Sequence, residues 1–199
     1  MDLRSAWEAA WRAAGEIPPA SLYAELEACY GEPHRHYHTL QHLQECFVQL
    51  ELLRSAAVEA ADVALALWFH DAIYDTRRHD NEARSAAWAR ASIADPARGA
   101  RVHDLILATR HDALPCSADA RVLVDVDLSI LGAQTQRFDE YETQVRREYA
   151  WVPAPLYRRK RADILRGFLA RDAIYATPLF RERYEARARE NLARSLASG

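Results

Sequence analysis

Cysteine is scarce in this chain and lysine almost absent. Cys29, Cys46 and Cys116 show no CxxC spacing. An odd, scattered set of three excludes a disulfide framework or a zinc ribbon, and the three read as small buried hydrophobes. Lys160 is the one lysine, every other cationic side chain of this class being arginine. The net charge of -3 exerts no overall pull on a polyanion, so no stable nucleic-acid partner is expected. Long apolar runs are also missing. No stretch of about 18 uncharged apolar residues occurs, and no membrane partner is expected. The start, MDLRSAWEAAWRAAGE, has acidic residues and an amphipathic pattern where a signal peptide needs an apolar core, and the expected location is cytoplasmic. No GxSxG, P-loop or GxGxxG is found, which removes the serine-elbow and glycine-loop chemistries.

What the chain does have is helical periodicity. Trp7, Ala10, Trp11 and Ala14 share one face, and Gly15 with Pro18 and Pro19 closes that element. Leu22, Leu26 and Cys29 mark a second helix. A third is predicted over about 37–54, striped by Leu43, Phe47 and Leu50. Residues 59–73 are nearly apolar all round, the pattern of a buried central helix. Further helical patterns cover about 82–93, 98–110, 119–131, 135–149, 155–171 and 179–197, with 121–126 ambiguous between helix and strand. The expected fold class is all-α, and 199 residues suit a single domain.

Three clusters carry chemistry. In ALALWFHDAIYD, His70 and Asp71 follow an apolar run. An ionised aspartate there costs several kcal/mol unless it is paired or bound to a cation, and imidazole beside carboxylate suits zinc, manganese or iron. His-Asp pairs also occur at His79, His103 and His111, so the dipeptide alone is weak. In YHTLQHL, His38 and His42 stand one helical turn apart, able to share a site. In VLVDVDLSILG, Asp125 and Asp127 lie in another apolar run; on a helix they point in nearly opposite directions, so one of them enters a given site. Spacing tolerates either His38 or His42 as the first ligand.

The order His42, His70-Asp71, Asp127 resembles the H…HD…D signature of the HD phosphohydrolase superfamily. The segments YHTLQHL, ALWFHDAIYD, DNEARSA, ILATRHD, DVDLSILG, and VRREYAWV through FLARDAIYAT to ARENLAR follow one another along most of the chain. Together they resemble the bacterial family of predicted metal-dependent HD-superfamily phosphohydrolases. The resemblance implies one all-helical HD-type domain over 1–199, with a catalytic core at about 34–132 and the C-terminal helices packed on it. It also implies one or two divalent ions (Mn, Zn, Fe, Co or Mg) held by His42, His70, Asp71 and Asp127. YHxxxH is similar to the pattern of cyclic-nucleotide phosphodiesterases, which makes His42 the ligand and His38 the proton donor. HDAIYDT is similar to the HDxxEDT stretch of alarmone hydrolases. Asp75 matches its aspartate and would orient water, whereas Tyr74 stands where the glutamate is expected, with Glu82 nearby in sequence. His111 resembles a later histidine that contacts phosphate or a second metal.

The function so implied is hydrolysis of a nucleotide or other small phosphate ester by water activated at the metal. His38 or His111 would protonate the leaving oxygen, and Arg158 and Arg161 from the basic run would hold the phosphate. Two alternatives differ in kind: a di-iron oxygenase of the same superfamily, needing His103 and His111 as extra ligands, and a non-catalytic metal-binding regulatory protein.

Overall fold

The computed structural model describes residues 2–198, which form ten α-helices with no strand among them. The all-α expectation is met. The chain divides into two compact units, Met1–Val126 and Asp127–Gly199.

The first unit contains α1 (Leu3–Ala14), α2 (Leu22–Tyr30), α3 (Leu40–Leu53), α4 (Ala60–Phe69), α5 (Asn81–Ser92), α6 (Pro96–Ala108) and α7 (Ala118–Asp127), which runs to the boundary. Its centre is α4, with every residue from Asp62 to Phe69 buried and with α1, α3, α5 and α6 against it. This is the all-round apolar helix of the sequence, and its aromatic partners come from several elements. Trp68 meets Trp7 edge-on at 5.2 Å, Phe47 at 5.2 Å and Tyr23 at 5.9 Å between ring centroids. Asp62, also wholly buried, is held by Arg98 Nε at 2.7 Å and Arg101 Nε at 2.6 Å. Two guanidinium groups from α6 thereby satisfy this buried acid.

Helix α4 is shorter than the predicted 59–73. It ends at Phe69, so His70 and Asp71 stand in the turn after it and not inside an apolar helix. The reason lies in the hydrogen bonds. Leu67 O, a last-turn carbonyl, lies 2.8 Å from His70 Nδ1, and the carbonyls of Asp71 and Ala72 accept from Arg35 at 2.6 and 2.9 Å. Side chains thus take up carbonyls that a continued helix would have paired with backbone N–H groups. Residues 121–126, ambiguous in sequence, are helical.

The second unit is built from a 3-10 turn, Leu128–Gly132, with α8 (Thr135–Glu148), α9 (Ala154–Leu169) and α10 (Pro178–Ser198). The long helix α10 clamps the turn. Asn191 Nδ2 donates to Leu131 O and Ala133 O at 2.9 Å each, and Arg187 Nε donates to Gly132 O at 2.6 Å. Tyr175 Oη donates to Leu128 O at 3.1 Å. The residues immediately after Asp127 are therefore fixed by side chains from far along the chain. Gly132 is required by close approach, since a Cβ there would lie 2.6 Å from Tyr184 Cβ and 2.9 Å from Tyr175 Oη. Gly132→Ala is expected to destabilise this unit by about 2–3 kcal/mol, read as a lowered urea midpoint.

No helix among the described residues is long and apolar enough to cross a membrane. Of the cysteines, only Cys46 is buried; Cys29 is partly covered and Cys116 is exposed, so the expectation of three buried thiols holds for one.

Candidate metal centre

His42, on the first turn of α3, and His70, just past α4, bring their Nε2 atoms to 3.3 Å. Both rings are almost wholly buried. Asp127, the last residue of α7, adds a carboxylate, and the three donor atoms all lie within 4.8 Å of one another. Asp71 joins through Oδ2, 3.0 Å from His70 Nε2 and 3.5 Å from His42 Nε2, with its side chain 18% exposed. Among the described residues this is the one group of three or more His, Cys, Asp or Glu side chains drawn so close.

The chemistry of the donor set fits a divalent cation. With Nδ1–H donating to Leu67 O, the Nε2 lone pair of His70 is turned toward the cluster, the arrangement that fixes a ligating tautomer. Two nitrogens and carboxylate oxygens are a mixed set suited to zinc, manganese, iron or cobalt. Two ligand atoms bonded at about 2.1 Å with a near-tetrahedral angle stand roughly 3.4 Å apart, which the histidine pair matches. Burial opposes ionisation of Asp71, but His70, then His38 and His42, outweigh it and hold the carboxyl well below the usual carboxylate range. The acid therefore stays charged where a cation would meet it. Cys46 Sγ lies 3.7 Å from both ring nitrogens of His42, packing that ring against α3.

His38 is not on the same helical face as His42, because α3 begins only at Leu40. Thr39 caps it, its hydroxyl accepting from Gln41 N at 3.3 Å, and His38 lies in the preceding turn. The turn nevertheless brings the two rings to 6.0 Å between centroids. Asp75 Oδ1 accepts the Arg77 backbone N–H at 2.9 Å, while Asn81 bridges the Asp75 backbone through N–H to Oδ1 at 3.2 Å and Nδ2 to O at 2.9 Å. Asp75 thus organises its own loop. His111 follows α6 in a left-handed conformation (φ 57°), and His103 Nδ1 sits 3.0 Å from the exposed Asp104 Oδ1. Neither joins a cluster of three donors among the described residues. In the second unit, Arg158 is exposed on α9. Arg161 is committed to Glu142 and, at 2.8 Å, to Tyr141 Oη, which takes it out of use as a free phosphate fork.

Sequence reasoning missed Arg35. Its guanidinium is buried and donates to Glu32 Oε2 at 2.9 Å, Asp71 O at 2.6 Å, Ala72 O at 2.9 Å and His38 O at 3.3 Å. One side chain thereby ties the His38 turn to the His70–Ala72 turn. The only signal available was a lone arginine inside the histidine-rich stretch His34–His38. The Tyr141 hydroxyl, which accepts from Arg161, is pushed up by burial against the pull of that guanidinium, with Glu142 and then Asp127 adding to the rise. In comparisons with known proteins, the chain matches no family model, no curated protein and no solved structure.

Proposed function

We propose that this chain is a metal-dependent phosphohydrolase of the HD type, cleaving a nucleotide or another small phosphate ester. The supporting observation is the convergence of His42, His70 and Asp127, with Asp71 on both histidines, in the sequence order His, His-Asp, Asp. His42 and His70 would hold the cation through nitrogen, and Asp71 and Asp127 would balance its charge. Once bound, such an ion would supply Lewis acidity toward a phosphoryl oxygen and toward water.

The remaining work belongs to side chains. His38, half-buried beside His42, delivers a proton to the leaving ester oxygen, a contribution typically about 10²–10⁴-fold. Arg35 keeps the two turns in register. Asp75 acts through the loop it shapes. No step is assigned to His111 in this reading, and the Arg161 guanidinium is held by Glu142 and Tyr141.

Metal analysis of the purified chain followed by a phosphate-release assay tests the reading. The substrates are nucleoside monophosphates and p-nitrophenyl phosphate, each with added manganese, cobalt, zinc or magnesium. The expected result is near-stoichiometric metal and turnover that a chelator removes. Bound metal without turnover on any substrate would instead identify a binding protein, and iron with a visible di-iron spectrum would identify an oxygenase.

A further inference from the structure

The Tyr74 ring lies against His38, with centroids 4.1 Å apart and planes inclined by 27°. Because His38 sits in a turn and not on α3, no helical frame limits its side-chain torsions, and terminal ring torsions are broad by nature. The ring is restrained by contacts instead. Tyr74 covers one face, and Tyr37 meets the imidazole edge-on at 4.9 Å. Tyr74 is itself anchored: its carbonyl is 2.8 Å from His34 Nε2, its ring is stacked parallel to His34 at 6.5 Å, and the Arg35 guanidinium carbon lies 5.5 Å from its centroid. The following residue is closed off by Asn81 on the Asp75 backbone. A large aromatic residue is thus built into the rim of the donor cluster with a fixed relation to one imidazole.

We propose that Tyr74 is the positioning residue for His38: its ring face, and not its hydroxyl, holds the imidazole in the orientation that delivers a proton to the leaving group. This rests on the phosphohydrolase reading above. In the step concerned, a water oxygen forms a bond to phosphorus as the ester P–O bond breaks. The bonding pair leaves with the ester oxygen, which takes the proton of the His38 imidazolium. The products are an alcohol and hydrogen phosphate, and the second proton of the attacking water returns through solvent to the neutral imidazole.

Tyr74→Leu and Tyr74→Phe in the full-length, metal-containing protein test this, with a nucleoside 5′-monophosphate and p-nitrophenyl phosphate as substrates. The nucleoside alkoxide needs a proton to leave, whereas nitrophenolate does not. The ratio of kcat values, nucleotide over nitrophenyl, is expected to fall about 10-fold in Tyr74→Leu. It is expected to recover to within about twofold in Tyr74→Phe, and to fall about 100-fold in His38→Ala. Equal loss on both substrates in Tyr74→Leu, or a Phe variant as poor as Leu, overturns the inference alone. An unchanged ratio in His38→Ala removes the acid itself and overturns the inference through the reading beneath it. A second measurement is independent of turnover. The His38 ring carbon–proton resonances are expected to be displaced by the Tyr74 ring current in the wild type and Tyr74→Phe, and to move to ordinary imidazole positions in Tyr74→Leu. Resonances that stay put in Tyr74→Leu overturn the stack.

Discussion

Replacing Asp71 with alanine is expected to abolish metal content and phosphate release together. The carboxylate lies within 3.5 Å of both cluster histidines, and its charge would offset that of a dication held beside two buried imidazoles. Without it the cation keeps two neutral nitrogens and Asp127, and affinity should fall by at least about 100-fold, more than the loss typical of an outer partner of a ligand. Metal analysis of Asp71→Ala reads this directly, and retention of stoichiometric metal would refute the ligand assignment. Thermal unfolding offers a second reading. A ligand that binds only the folded state stabilises it by roughly 2.7 kcal/mol at 100 times Kd, so added metal should raise the melting temperature of the wild type and not of the variant. In the metal-free wild type, the lowered Asp71 pKa gives a definite sign. Its contribution to stability is fully present above the unfolded carboxyl value of about 3.9 and is lost as pH falls toward the folded one. An acid titration of Asp71→Ala should lack that component.

Arg35→Ala is expected to cost about 3 kcal/mol of stability in the first unit and to weaken metal binding although Arg35 is no ligand. The guanidinium satisfies three backbone carbonyls, those of Asp71, Ala72 and His38, and each buried acceptor left without a donor costs roughly 1–3 kcal/mol unless water replaces it. Arg35→Lys should recover little, because an ammonium lacks the planar fork that reaches two turns at once. Urea denaturation gives the stability loss and metal titration gives the affinity. A variant as stable as the wild type would mean that the two turns hold without the clamp.

By itself the sequence determined the helical class, the buried central helix and the residue types of the site. Each of these is local: apolar spacing marks the buried face of a helix, and the order of His and Asp residues is visible in one dimension. The limit of α4 was not legible, because what stops it at Phe69 is a bond from His70 back to Leu67 and two from Arg35, 36 and 37 residues away in the chain. The same holds for His38. Its i, i+4 spacing to His42 suggests a shared helix face, yet the Thr39 cap starts the helix after it, and the ring lies 4.1 Å from that of Tyr74, 36 residues away in the chain. Arg161 read as an available cation because a basic run looks solvated in sequence; folding gave it to Glu142 and Tyr141. Only the tertiary structure brought His42, His70 and Asp127 within 4.8 Å of one another. The physical reason is that donor convergence depends on how helices separated by dozens of residues end and pack, which no periodicity within one of them records.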